Sequence, residues 1–109
     1  MDNSPLSNIK FQDKITSPSN GKMIRPDSNA SSITIEFETE GTFTANFEVQ
    51  GITGKFYPIM ATNLGTYDSA TSTSDKNYLY QVGMVGIVGM RVNIVAINGE
   101  LTVHGIIRG

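Results

Sequence analysis

The sequence has no cysteine and a single histidine in 109 residues. The absence of cysteine excludes disulfides, thiolate metal sites and cysteine nucleophiles, and it leaves the redox compartment undetermined. No stretch reaches the roughly 18 consecutive apolar residues that a transmembrane helix requires. The net charge of −2 provides no basic surface of the kind that nucleic-acid-binding proteins carry. We therefore expect a single domain with no nucleic-acid partner.

The first residues also lack a secretory pattern. Met1-Asp2-Asn3-Ser4-Pro5 has no basic segment followed by an apolar one. We expect a cytoplasmic protein without a signal peptide, which leaves the cell only by lysis or by a non-classical route.

Residues 1–30 differ in composition from the rest of the chain. They are rich in Ser and Asn and hold three of the four prolines, Pro5, Pro18 and Pro26. Ile9 and Phe11 alternate with polar residues and predict one short strand, and residues 22–24 predict another. Two interpretations remain open, an arm that lies along the body or along a neighbouring subunit, and a poorly ordered tail.

From residue 31 the alternation of apolar and polar residues is regular. Residues 32–38 and 43–49 each place every second, apolar side chain on one face, as in half-buried strands. If the two strands are direct neighbours, a three-residue loop at residues 39–41 opposes Phe37 to Phe43 and keeps the apolar faces together.

The last strands flank an Asn98-Gly99 pair, which is typical of a two-residue type I′ hairpin turn. This turn would pair residues 90–97 with residues 100–107. The inner face would hold Met90, Val92, Ile94, Ala96, Leu101, Val103, Gly105 and Ile107. Arg91, Asn93, Thr102 and His104 would then share the outer face.

The remaining segments complete an all-β pattern. A short apolar strand at residues 56–60 contains Pro58, which favours an edge position. Residues 65–76 form a polar loop, and residues 77–82 a further strand. Seven or eight short strands, with no helical periodicity, predict a jelly-roll-like antiparallel β-sandwich over residues 31–109.

The residue types of catalysis and metal binding are present without the pattern that either requires. His104 has no nucleophile or orienting carboxylate opposite it in the predicted hairpin, so we interpret it as a surface or interface residue. Glu36, Glu38 and Glu48 lie on a solvated face, and Asp68, Asp75 and Asn77 lack the spacing of a calcium loop. We expect no enzymatic activity, no metal and no cofactor.

Residues 77–90 carry no charge, and Gly83, Gly86 and Gly89 recur within them. The segment fits a turn that contacts a partner subunit, and it also fits a turn that contacts a membrane or cell-envelope surface. The candidate contact residues in the chain are Met84, Val85, Ile87, Val88, Arg91, Asn93 and His104.

The order of segments from Ile33 to Gly109 resembles a family of small β-sandwich modules of bacteriophages and prophages. The similarity lies in residues 41–51, in the aromatic strand that ends at residues 61–66, in Tyr80-Gln81-Val82 and in the closing strands. Phe56-Tyr57 replaces a Trp-Tyr pair that is common in such modules. In size and layout the chain is similar to the Bacillus prophage lytic-cassette group that includes XepA and YomS.

This resemblance implies a non-enzymatic, prophage-derived protein that forms a ring-shaped homo-oligomer, a pentamer, and is associated with host lysis and phage release. The resemblance carries over no active-site residue. The alternative is a structural module of the virion, in a tail, fibre or head decoration, that binds carbohydrate or another structural protein. Its natural site would be the loop at residues 65–76. A hydrolase is a third hypothesis, for which the sequence supplies no visible nucleophile and base.

Overall fold

The structure, a computed structural model, describes residues 7–26 and 30–108. Within these ranges the chain forms ten strands and no helix, so the all-β prediction is confirmed with a larger number of strands than the expected seven or eight. The described part therefore has no helix with the length and apolar character to cross a membrane. The strands are β1 (Ser7–Ile15), β2 (Ser32–Thr39), β3 (Thr42–Gln50), β4 (Phe56–Pro58), β5 (Ala61–Asn63), β6 (Ser69–Ala70), β7 (Ser72–Thr73), β8 (Tyr80–Gly83), β9 (Gly89–Asn98) and β10 (Leu101–Arg108).

Two antiparallel sheets make up the sandwich. Sheet A has the order β1-β10-β2-β8-β5-β6. In sheet B, β3 pairs with β9 along its whole length and with the short strands β4 and β7. The first strand therefore lies beside the last one, and most strand pairs join segments that are distant in sequence.

The predicted hairpin between residues 90–97 and 100–107 is wrong, because the two strands belong to different sheets. β9 pairs with β3 in sheet B, whereas β10 lies between β1 and β2 in sheet A. Gly99 has a φ of 104°, but Asn98 keeps a negative φ, so the type I′ turn does not form. The chain passes from one sheet to the other at this point and forms an arch.

The predicted pairing of residues 32–38 with 43–49 is wrong for the same reason, since β2 lies in sheet A and β3 in sheet B. The faces are nevertheless as predicted, and Phe37 does meet Phe43. Their rings stack across the interior with centroids 4.6 Å apart. A tight connection brings the inner faces together in both geometries, so the alternation alone does not distinguish a hairpin from an arch.

The two arches, residues 39–42 and 98–101, stack side by side at one end of the sandwich, and we call them the paired arches. The Thr39 hydroxyl donates to the Glu100 carbonyl at 2.7 Å and accepts from the Gly41 amide at 3.0 Å. A Cβ at Gly41 would lie 1.8 Å from the Asn98 carbonyl oxygen, so only glycine fits. The hydrogen bond and the close approach of Gly41 to Asn98 hold the paired arches together.

The core lies between the two sheets and includes an aromatic cluster. The Tyr80 ring lies 5.8 Å from the Phe37 ring and 5.6 Å from the Phe47 ring. The buried apolar residues are Phe11, Ile24, Ala30, Ile33, Ile35, Phe37, Phe43, Ala45, Phe47, Ala61, Tyr80, Val82, Met84, Met90, Val92, Ile94, Leu101 and Val103. Ala96, predicted to face inward, is exposed, because a register shift between Thr44 and Ala45 opposite it reverses the alternation.

Residues 16–24, which we call the strap, cross from sheet A to the outer edge of β9. Ser19 pairs with Ile94, and Ile24 pairs with Met90. On the opposite side of the sandwich the chain crosses directly from β6 to β7, and the Thr71 carbonyl accepts from the Phe47 amide at 2.9 Å. The strap thus connects the two sheets on one side of the sandwich, and the β6–β7 crossing connects them on the other.

Candidate functional site

Arg91 and Asn93 lie together on the outer face of sheet B. The Arg91 Nε donates to Glu48 Oε1 at 2.7 Å, and the Asn93 amide donates to Glu48 Oε2 at 3.4 Å. The Arg91 guanidinium also lies 3.7 Å from the centre of the Phe56 ring. This arrangement is a rigid polar surface, because the guanidinium is fixed both by the carboxylate and by the ring.

His104 lies on the outer face of sheet A, on the opposite side of the sandwich. Its Nε2 is 2.8 Å from Glu38 Oε1. The prediction that His104 shares a face with Arg91 and Asn93 is wrong, since it depended on the hairpin. Thr102 shares the outer face of β10 with His104, as predicted, but it is buried there, because its hydroxyl accepts from the Lys14 amide at 3.1 Å where β1 bulges away from β10.

A wide, shallow depression lies around His104 and carries side chains of both charge signs. Lys10, Lys14, Glu36 and Glu38 are among the residues that line it. Within the described ranges, no group of three or more His, Asp and Glu residues is placed to hold a metal ion. This surface offers charge complementarity to a partner.

The turn between β8 and β9 divides the apolar candidates into buried and exposed residues. Met84 is only 2% exposed, and its amide donates to the Ser31 carbonyl at 2.9 Å, so its side chain belongs to the core. Ile87 is half-buried and packs against the core. Val85, at 83% exposure, and Val88 lie on the surface.

Sequence reasoning missed Ile52, which is 97% exposed at the tip of the turn between β3 and β4. Gln50 pairs with Gly89, so this turn and the β8–β9 turn extend beyond the same end of sheet B. Ile52, Val85 and Val88 form what we call the apolar end, opposite the paired arches. One apolar residue between Gly51 and Gly54 was the only signal in the sequence.

A cavity of about 350 Å³ opens on the side of the sandwich near the β6–β7 crossing, and we call it the lateral pocket. Its lining combines core residues with polar residues of β5, of β7 and of the connections that follow these two strands. The lining residues are Phe47, Ala61, Asn63, Thr66, Asp68, Ala70, Ser72, Thr73, Asp75, Tyr78 and Tyr80. The loop at residues 65–76, singled out from the sequence, supplies much of this wall, whereas Tyr78 and Tyr80 come from the segment that follows.

Hydrogen bonds hold Tyr80 in the wall of the lateral pocket. Its hydroxyl donates to the Asp75 carbonyl at 3.0 Å and lies 2.6 Å from the Thr73 hydroxyl, which in turn accepts from the Asp75 amide at 3.1 Å. Burial raises the pKa of the Tyr80 hydroxyl above its usual value, although the hydrogen bond from Thr73 opposes the shift. The hydroxyl therefore stays neutral at physiological pH and holds the loop in place.

Comparison with known proteins gives one family and two structural relatives. The XepA family model matches residues 6–107 of the chain. The structure is similar to that of the SPBc2 prophage-derived protein YomS, with a TM-score of 0.88 and 20% identity over 94% of this chain and 92% of YomS. It is also similar to the PBSX exported protein XepA, with a TM-score of 0.89 and 19% identity over 98% of this chain. The chain spans only 39% of the length of XepA. No curated protein gives a significant sequence match.

Proposed function

Since this chain belongs to the XepA family, we propose that it is a non-enzymatic, phage-associated protein that assembles into a ring-shaped homo-oligomer, a pentamer, and takes part in host lysis and phage release. Family membership and the prophage origin of the two structural relatives support the phage association. The protein would accumulate in the cytoplasm and act without a cofactor or a nucleic acid.

The apolar end is the observation that carries the assembly proposal. Ile52, Val85 and Val88 expose apolar side chains on two turns at the same end of sheet B, and exposed apolar surface favours contact with a partner. The strap covers the outer edge of β9, and β1 is a bulged edge with charged residues, so strand addition at these edges is disfavoured. In a ring, the apolar end of one copy would contact a different surface of the next copy, in a heterologous interface.

Native mass spectrometry and light scattering at micromolar concentration test the assembly. We expect one closed oligomer for the wild-type chain and dissociation of the Ile52→Ser, Val85→Ser double variant. Val95→Ser is the matched control, since Val95 is 46% exposed but lies in the part of β9 near the paired arches. A monomeric wild-type protein, or equal dissociation of the control, would contradict the proposal.

Expression inside a bacterial host tests the role in lysis. We expect a fall in culture turbidity with the wild-type chain and none with the double variant at the apolar end. If the variant loses lysis but keeps its oligomeric state, the apolar end contacts the membrane or the cell envelope, and the ring is held by another surface. Absence of any growth defect with the wild-type chain would contradict the lysis role. Purified cell walls are expected to remain intact with both the wild-type chain and His104→Ala.

A virion structural module that binds carbohydrate or another structural protein is the second candidate. The observation that favours it is that the loop at residues 65–76 lines the lateral pocket, and loops on a rigid β-sandwich commonly carry binding sites. Detection of the protein in purified phage particles, at a constant number of copies per particle, would decide for this function. Its absence from particles and presence in the lysate would decide against it.

A further inference from the structure

We infer that the lateral pocket binds one sugar unit of a neutral polysaccharide or glycoconjugate, in the form of a pyranose ring. The inference goes beyond assembly and lysis and does not depend on them. It shares the ligand class of the second candidate function, but it holds for the isolated chain whether or not the protein enters the virion.

The size and lining of the pocket favour a small ligand with both apolar and polar surface. A volume of about 350 Å³ lies at the lower end of the range of about 300–1,000 Å³ that small-molecule sites occupy. Phe47, Ala61 and Tyr80 are core residues that lie behind the pocket and support it, whereas Tyr78 is the aromatic side chain of the lining that a ligand can reach. The other lining residues are mostly polar, so a ligand would meet the Tyr78 ring and hydrogen-bonding groups around it.

The polar groups of the wall include both donors and acceptors. Asn63 Oδ1 accepts from the Gly65 amide at 2.8 Å and from the Thr66 amide at 3.1 Å, which fixes the side chain and leaves its NH₂ group as a donor. The Ser72 hydroxyl can donate and accept, and the Asp68 carboxylate accepts. Sugar hydroxyls also donate and accept, so they match this mixture better than a ligand with acceptors alone.

The charge of the lining selects against anions. The residues described around the pocket include the carboxylates of Asp68 and Asp75 and no lysine, arginine or histidine. A phosphate or a uronic acid would meet like charge without a compensating cation, and this repulsion is strongest in a recessed site. The wall therefore fits a neutral sugar.

An aromatic side chain is held in place at the rim before any ligand arrives. The Tyr78 ring packs so closely on Gly65 that a Cβ there would lie 2.4 Å from Tyr78 Cδ1. The backbone reinforces this contact, because the Leu64 amide donates to the Leu79 carbonyl at 2.8 Å. A ring fixed in this way offers apolar surface to the carbon face of a sugar without a further loss of conformational entropy.

Titration followed by amide chemical shifts of the full chain tests the site. The probes are the methyl glycosides of glucose, galactose and mannose, N-acetylglucosamine, and glucuronate as the anionic control. We expect at least one neutral sugar to shift amides within residues 61–80, with a millimolar dissociation constant as befits a ligand of about a dozen heavy atoms. Glucuronate should bind at least tenfold more weakly. No shift with any neutral sugar, shifts confined to other surfaces, or equal binding of glucuronate would overturn the inference.

Two variants and one matched control locate the binding. Tyr78→Ala removes the aromatic wall, and Gly65→Ala displaces it, so each should weaken binding at least tenfold. Tyr67→Ala is the control, because Tyr67 is 80% exposed on the same loop but does not line the pocket. Equal loss in the control would overturn the inference. Since Gly65→Ala keeps every lining side chain, its loss of binding with an unchanged spectrum of the core would identify the position of Tyr78 as the cause.

Discussion

Replacing Gln12 with leucine should weaken the attachment of the strap to β9. Gln12 is 4% exposed, and its Nε2 donates to the carbonyls of Ser19 and Val92, both at 2.9 Å. The carbonyls of Met90 and Ile94, on either side of Val92 in β9, accept from the amides of Ile24 and Ser19. The Gln12 side chain therefore donates to the Val92 carbonyl, which lies between two carbonyls of β9 that bind the strap backbone.

The magnitude follows from these two bonds. Each contributes about 1 kcal/mol net, and a buried carbonyl left without a partner costs about 1–3 kcal/mol. The Ser19 carbonyl keeps its bond from the Ile94 amide at 2.9 Å, so only the Val92 carbonyl is orphaned. Leucine has a similar volume and keeps the apolar contacts. We expect a loss of about 2–3 kcal/mol, a large part of the about 5–15 kcal/mol that stabilises an ordinary domain.

Urea unfolding and amide hydrogen exchange measure this effect. We expect a lower midpoint and faster exchange at the amides of Ser19, Ile24 and Ile94, which bond across the strap. Gln50→Leu is the matched control, since its Nε2 makes one exposed bond to Gly54 at 3.3 Å, and the change should cost less than about 0.5 kcal/mol. A loss below about 0.5 kcal/mol for Gln12→Leu, with unchanged exchange across the strap, would refute the reasoning.

Three further predictions concern the arches, the core tyrosine and the surface histidine. Gly41→Ala should destabilise the fold by about 2–4 kcal/mol in urea unfolding, because its Cβ would overlap the Asn98 carbonyl, whereas Gly83→Ala, with open space around it, should change little. Because the pKa of Tyr80 is raised in the folded state, the folded protein retains a proton that the unfolded chain loses above about pH 10. The contribution of Tyr80 to the free energy of unfolding should therefore be complete below about pH 10 and decrease as the pH rises further. Tyr80→Phe should lack this additional decrease. His104→Ala should cost no more than about 1 kcal/mol, since the contact between His104 and Glu38 is exposed and exposed polar pairs contribute little, and a larger loss in thermal unfolding would contradict this reading.

The sequence was sufficient to predict the faces of the long strands but not their neighbours. Ile33, Ile35 and Phe37 on β2 and Val92 on β9 are buried as the alternation predicts. Alternation reports which side of a strand is apolar, and this is the same whether the next strand lies in the same sheet or in the opposite one. Asn-Gly favours a hairpin locally, yet the strands it joins pair with residues at least 39 positions away in sequence, and the tertiary pairing prevails.

The candidate sites likewise differ in whether a local sequence pattern or only the tertiary fold reveals them. Val85 and Val88 were identifiable because an uncharged segment is visible in the sequence itself. The lateral pocket required the chain to bring Asn63 beside Tyr78 and Phe47 beneath Tyr80, and no local pattern encodes these contacts. The separation of Arg91 from His104 likewise depends on which sheet each strand joins.

The adjacency of β1 and β10 has a consequence for how the chain is made. Their contacts join residues up to 100 apart in sequence, as between Ser7 and Ile107. On the ribosome, β1 emerges first and has no partner until β10 has been synthesised. Sheet A is completed only when β10, the last of the described strands, has been made, and such non-local closure is slow. We therefore expect Phe11 and the surrounding edge to lack their native partner until β10 has been made, and such transiently exposed apolar edges favour chaperone binding and aggregation.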